Sequence, residues 1–215
     1  MSAPRGVAVK ICGVTRPEHV RAAAEAGASM VGLVFVTGSP REVDRATAER
    51  ILSELPEGLE PVALVATHDG RHPALEWWTG RVQLHGDEDE SACERVASKG
   101  RAVMRGFAFS PEAVRRWDAC AAVDTLVVDG PRGGGGHGFD HAALAPMVPG
   151  LRARVLLAGG LSPANVRGAI DRVRPWGVDV SSGVERERGT KDAALVAEFC
   201  REAGVSPRRA RPSAS

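Results

Sequence analysis

The sequence predicts a single (β/α)8 TIM barrel, an α/β fold in one catalytic domain. Three observations predict it: short apolar runs alternate with longer stretches of helical period, the runs number eight, and 215 residues suit one barrel around one core. The barrel is expected over residues 1–205. Residues 206–215, rich in proline, arginine and serine, read as a disordered basic tail in which Arg208, Arg209 and Arg211 make a solvated end rather than a nucleic-acid contact. An open doubly wound sheet is the main rival. It would usually show fewer strands and a glycine-rich dinucleotide turn after the first, where this chain has Cys12-Gly13-Val14-Thr15-Arg16-Pro17.

The elements follow in order. The first apolar run, Val7–Ile11, leads to an amphipathic segment, Pro17–Ala26, whose proline suits a first helical turn after Thr15 or Arg16. Met30–Phe35 precedes the helical pattern Asp44–Glu54, and Pro61–Ala66 precedes a short helical stretch containing Trp77 and Trp78, which read as packing residues. Arg81–Leu84 is followed by Glu88–Ser98, with Asp87 and Glu88 placed to favour that helix's first turn. Ala102–Gly106 leads to Pro111–Trp117 after Ser110, and Thr125–Val128 leads to a glycine run, Gly133–Gly138, that reads as a loop able to close over a ligand. Val155–Ala158 precedes Pro163–Val173 after Ser162, and Gly177–Val180 is the last strand.

The chemistry of the partner is bounded by charge. Lysine and arginine number 28 against 27 aspartates and glutamates, interspersed to a net charge of +1, which argues against nucleic acid or a membrane surface as the main partner. Charged residues interrupt every apolar stretch before it could span a bilayer, and the N-terminus lacks the apolar run of a secretory signal. The four cysteines, Cys12, Cys93, Cys120 and Cys200, are far apart and unpaired in sequence, as in a reducing compartment. A cytoplasmic protein is expected. Neither composition nor pattern chooses between a monomer and a homodimer.

In a barrel the loops after the strands build the active site, so polar residues at strand C-terminal ends carry the information. Alternation turns Ala8, Lys10 and Cys12 toward the barrel axis, and an ammonium beside Cys12 favours its thiolate, a usable base. The bland alternative is a cysteine that merely fills space. Thr125, Val127 and Asp129 also turn inward, which puts a carboxylate at the mouth as a proton donor or, structurally, as a partner for Lys10. Ala158-Gly159-Gly160-Leu161 and Ser181-Ser182-Gly183 follow strands seven and eight, where barrels frequently bind phosphate, and a short helix there would add its dipole. Gln83 and His85 point inward and are read as substrate contacts. With Asp87 and Glu88 directed to the helix, no metal site is expected there.

With those residues placed, the sequence resembles the phosphoribosylanthranilate isomerase family. The matching motifs are Lys10-Ile11-Cys12-Gly13, Gly32-Leu33-Val34-Phe35 with Ser39-Pro40-Arg41, Val82-Gln83-Leu84-His85-Gly86, and Val128-Asp129 with its glycine loop. They continue with Leu157-Ala158-Gly159-Gly160-Leu161, Asn165-Val166, and Gly177-Val178-Asp179-Val180-Ser181-Ser182-Gly183-Val184-Glu185 with Gly189, Lys191 and Asp192. The resemblance implies an Amadori rearrangement of N-(5-phosphoribosyl)anthranilate in tryptophan biosynthesis, on a small phosphorylated aminosugar and without a cofactor. It implies that Asp129 protonates the furanose oxygen, that Cys12 removes the C2 proton, and that Arg41 holds the anthranilate carboxylate. Lys10, Gln83, His85 and Asp179 fall among the substrate-binding positions, and Gly159, Gly160, Ser181, Ser182 and Gly183 among the phosphate-binding ones. Departures concentrate after strand six, where Gly135, His137, Gly130 and His141 replace the threonine, lysine, serine or threonine, and tryptophan usual in the family. The rivals are the sister isomerase of histidine biosynthesis, which uses an aspartate on strand one where this chain has Cys12, and a non-catalytic phosphoribosyl-binding barrel.

Overall fold

The computed structural model describes residues 6–130 and 140–207, so the glycine run Gly133–Gly138 and the arginines of the tail lie outside the described residues. Eight parallel strands close on themselves in sequence order, with the eighth hydrogen-bonded to the first. They are β1 (Ala8–Cys12), β2 (Met30–Val34), β3 (Glu60–Val65), β4 (Arg81–Leu84), β5 (Val103–Ala108), β6 (Val123–Asp129), β7 (Arg154–Leu157) and β8 (Gly177–Val180). The helices are α1 (Pro17–Glu25), α2 (Arg45–Ser53), α3 (Ala74–Trp77), α4 (Glu90–Ala97), α5 (Pro111–Ala119), α6 (His141–Leu144), α7 (Val166–Val173) and α8 (Ala193–Glu202). Between β8 and α8 the chain makes a small antiparallel hairpin, β9 (Glu185–Glu187) and β10 (Thr190–Lys191), outside the barrel sheet. No described helix is long and apolar enough to cross a membrane.

Period-two alternation divides the core in two. Val9, Ile11, Leu33, Val65, Leu84 and Val128 join the large cluster between strands and helices, while Ala8, Met30, Val62, Met104, Val127, Leu156 and Ala158 fill the barrel interior. The interior is therefore a packed plug beneath a polar mouth. Two inward positions are glycines for a spatial reason. A Cβ at Gly32 would lie 3.0 Å from Cys12 Sγ and 3.2 Å from Lys10 Nζ, and one at Gly106 would collide with the His85 ring.

Side-chain caps start most crossover helices. Asp44, Asp89, Ser110, Asp140 and Asp192 accept from backbone N–H groups at the starts of α2, α4, α5, α6 and α8, each cap stabilising by about 1 kcal/mol. Two predicted starts differ. The helix expected from Pro163 begins at Val166, because the Ser162 carbonyl accepts from Asn165 N and Val166 N in a preceding turn. Glu88 is not in the first turn of α4. It is buried one residue before the Asp89 cap, where its oxygens accept from Thr67 N and Gly86 N at 2.7 Å and pair with Arg105. Trp77 and Trp78 pack edge-on against Phe35, as expected, although Trp78 caps α3 rather than lying within it. Ser206 and Pro207 still lie beside α1: the Ser206 carbonyl sits over Gly27, and Pro207 lines a shallow cleft with Ala22 and Ala26.

Candidate active site at the mouth of the barrel

Lys10 and Cys12 leave β1 on its inner face, as alternation requires, and both are buried. The register β1–β8 sets Lys10 opposite Asp179, and Lys10 Nζ donates to Asp179 Oδ1 at 2.9 Å. Burial alone would lower the Lys10 pKa, but Asp179 and Cys12 outweigh it and hold the ammonium charged. Cys12 behaves differently from the sequence expectation. Its pKa is raised, because desolvation outweighs the ammonium of Lys10, with Asp179 adding to the rise and Lys191 opposing it. The resting group is thus a thiol poised among two ammonium groups and one carboxylate. The partner of Lys10 is a residue 169 positions away, which strand alternation on β1 could not reveal.

Arg41 sits on the loop after β2, and its stem passes over Gly13, where a Cβ would collide with it. Its guanidinium Nε and Nη2 donate to the two oxygens of Glu185 at 2.7 and 2.8 Å. Glu185 Oε1 also accepts from Lys191 Nζ at 2.7 Å. Burial by itself would raise the Glu185 pKa, but the two cations bring it down to about 2. Lys191 in turn donates to the Ser181 carbonyl at 3.0 Å, and the Ser181 hydroxyl donates to the Cys12 carbonyl at 3.1 Å.

Asp129 ends β6, buried at the mouth, with Oδ1 accepting from Gly130 N at 2.7 Å and Oδ2 3.8 Å from His85 Nε2. His85 Nδ1 lies 2.9 Å from the Gln83 amide nitrogen. Burial lowers the His85 pKa to about 4, Asp179 opposing and Lys10 and Arg105 reinforcing the effect, so the ring is neutral near pH 7. With the Gln83 amide donating to Nδ1, the ring proton lies on Nε2, toward Asp129.

Between these groups, Asp129, Ala158, Gly159, Gly160, Leu161, Asp179, Val180, Ser181 and Ser182 enclose a cleft of about 50 Å³. About 10–15 Å³ of such space admits one water, so the cleft admits a group of several heavy atoms, such as a phosphate. Gly159 and Gly160 have φ of +83° and +67°, and a Cβ on Gly159 would lie 2.5 Å from Gly130 N and 2.7 Å from Asp129 Oδ1. Asn165 secures the turn, its amide donating to the Gly160 carbonyl at 2.9 Å and its oxygen accepting from Ser162 N. Gly183 packs against the Leu161 carbonyl, joining the two loops. The helix expected after β8 is a single 3-10 turn, Ser182–Val184, and the Ser181 hydroxyl faces Cys12 and Lys191. Among the described residues no group of His, Cys, Asp and Glu is arranged to hold a metal ion.

The model of the family described as N-(5'-phosphoribosyl)anthranilate isomerase matches residues 9–202, nearly the whole barrel. The chain belongs to this isomerase family. The curated isomerase of Azotobacter vinelandii is 43% identical over 203 residues, spanning 90% of this chain and 95% of that protein. That of Leptothrix cholodnii is 38% identical over 205 residues, spanning 92% and 90%. Among solved structures, the isomerase of Thermotoga maritima superposes with a TM-score of 0.82 at 33% identity, covering 92% of this chain and 98% of that one. A phosphoribosylanthranilate isomerase in complex with reduced 1-(o-carboxyphenylamino)-1-deoxyribulose 5-phosphate superposes at 0.79 with the same identity and coverage.

Of the residues singled out in the sequence, the isomerase brings Lys10, Cys12, Gln83, His85, Asp129 and Asp179 to the inner mouth and Gly159, Gly160, Ser181 and Ser182 to one cleft beside it. Arg41 lies on the rim, held from behind by Glu185. Sequence reasoning gave no role to Glu185 and Lys191, whose short polar hairpin has no apolar alternation to mark it. It also misplaced Glu88, because an acid just before a helix looks like a first-turn residue whether or not it is buried.

Proposed function

We propose that the chain catalyses the Amadori rearrangement of N-(5-phosphoribosyl)anthranilate to 1-(2-carboxyphenylamino)-1-deoxyribulose 5-phosphate, with Asp129 as general acid and Cys12 as general base. One observation carries the assignment: a carboxyl and a thiol stand at the inner ends of β6 and β1, with Asp129 and Asp179 lining a cleft of phosphate size. The phosphate occupies the Gly159–Gly160 and Ser181–Ser182 side, where glycines let backbone N–H groups approach it. That placement directs the sugar toward Asp129, and the anthranilate carboxylate toward Arg41.

Asp129 then protonates the ring oxygen, the C1–O bond breaks, and the amine lone pair forms a protonated Schiff base. This cation acidifies the C2 proton. Cys12 accepts that proton as thiolate, the C2 electrons return to nitrogen as an enolamine, and tautomerisation gives the ketone with protons conserved. Lys10 and Lys191 favour the thiolate against the burial that raises it. Each positioned proton-transfer group contributes a factor of ~10²–10⁴. The reaction rearranges one molecule and needs no second substrate, and free cysteines throughout the fold suit the reducing cytoplasm as its place.

Cys12→Ser and Asp129→Asn are each expected to lower kcat at least ~10²-fold while the reduced product analogue still binds. Near-normal turnover by Asp129→Asn sinks the acid assignment; the same result for Cys12→Ser sinks the base.

A further inference from the structure

The buried ions beside Cys12 are not all accounted for by this chemistry. Arg41, Glu185 and Lys191 form a chain of two cations and one anion at the rim of the mouth, with the Glu185 and Lys191 side chains 4% and 1% exposed. Glu185 closes on one edge of the Arg41 fork, through Nε and Nη2, and among the described residues nothing accepts from Nη1. The cluster carries one surplus positive charge, which a ligand carboxylate neutralises. Lys191 cannot supply that contact, since its three donors face Glu185 Oε1, the Ser181 carbonyl and the Ser181 hydroxyl at 2.7, 3.0 and 3.4 Å.

The hairpin that carries both residues is fixed from two sides. The Gly189 carbonyl at its tip accepts from the Thr15 hydroxyl at 3.1 Å, and Gly189, with φ of +86°, lies so close to the Pro40 carbonyl that a Cβ there would collide. The hairpin therefore touches the loop that follows Cys12 and the loop that carries Arg41.

We propose that Glu185 and Lys191 are positioning residues for the isomerisation: Glu185 turns the open edge of the Arg41 fork toward the substrate carboxylate, and Lys191 holds Glu185 while tying it through Ser181 to the backbone of Cys12. The proposal rests on the reading of Arg41 as the carboxylate clamp. A fork left loose samples many rotamers, whereas one held by a bidentate carboxylate presents a single geometry at little entropic cost on binding. Glu185 also keeps the surplus charge of the rim at one, so that one carboxylate, and not two, matches it.

The test is a ligand comparison on the full chain. Glu185→Gln removes the charge but keeps the shape, and it is expected to raise KM for phosphoribosylanthranilate and Kd for the reduced product analogue at least about tenfold, with kcat changing less. Binding of ribose 5-phosphate, which has no carboxylate, should stay within about twofold. Lys191→Gln should shift both carboxylate-dependent constants in the same direction, and Lys191→Arg should restore most of the loss. Equal weakening of all three ligands, or an unchanged KM in Glu185→Gln, overturns the proposal and leaves the hairpin a structural latch. Arg41→Ala separates the two layers. If Arg41→Ala leaves KM unchanged the clamp reading itself fails, whereas a raised KM there with none in Glu185→Gln refutes only the inference about the hairpin.

Discussion

The two sides of the barrel mouth are built by opposite means. On the β1–β2–β8 side, Lys10, Asp179, Arg41, Glu185 and Lys191 form three buried or half-buried ion pairs around Cys12, two of which share Glu185. On the β6–β7 side, Gly159 and Gly160 in left-handed conformations put no side chain into the cleft and bring the backbone up to the Asp129 carboxyl. The charged side is stiff because its ions are paired with one another before the substrate arrives. The glycine side is recessed because a side chain there would fill the cleft.

That contrast can be broken in several ways. The largest expected effect is at the buried pair. Lys10→Met leaves Asp179 charged and unpaired and should destabilise the fold by about 3–5 kcal/mol, whereas adding Asp179→Leu should recover most of the loss. Chemical denaturation of both variants measures it, and equal stability of the single and double variants would show that the pair is not what holds this side together. On the glycine side, Gly159→Ala should cost about 1–3 kcal/mol and also raise KM, because its Cβ meets Gly130 N and the Asp129 carboxyl. Gly100→Ala has a similar φ of +77° and open space around it, so it should show the strain without the change in KM. If both variants raise KM alike, the recess is not the determinant.

Smaller effects follow from protonation. The raised Cys12 thiol predicts that kcat/KM keeps climbing with pH through and beyond the ordinary thiol value of about 8.5, since a raised pKa leaves less thiolate at neutral pH than free cysteine has. A profile that is flat from pH 7 to about 10 would remove Cys12 as the titrating base. His85 lies between the two sides, and its folded pKa of about 4 is below the ordinary 6.5. As pH falls through that window the unfolded chain binds the proton first, so stability is full above 6.5 and is lost toward 4. A flatter dependence of Tm on pH in His85→Asn checks the sign.

Much of this was legible in the chain itself, for reasons specific to each part. Period-two alternation on β1 and β6 is a local property, so it placed Lys10, Cys12, Thr125, Val127 and Asp129 on the inner face without knowledge of any neighbour. That Gly159-Gly160 and Ser181-Ser182 share one cleft could be read because they follow adjacent strands at the end of a barrel where sites are built. The electrostatic state of Cys12 was not legible. It depends on Asp179 and Lys191, which approach from the far end of the sequence, and on a burial that reverses the effect expected from Lys10 alone. Glu88 was misread for a similar reason, because only Arg105, Thr67 and Gly86 reveal that it serves loops rather than a helix.

The seam between β1 and β8 also sets a schedule. Lys10 and Cys12 are synthesised well before the groups that neutralise and tether them, because Asp179 and Ser181 are each 169 positions later. At ~5–20 residues per second the first strand waits roughly ten to thirty seconds for its counter-ion. Throughout that wait the nascent chain carries a lysine that cannot be buried and a strand edge that has no neighbour on one side. The inner mouth is therefore complete only once β8 has closed the ring against β1.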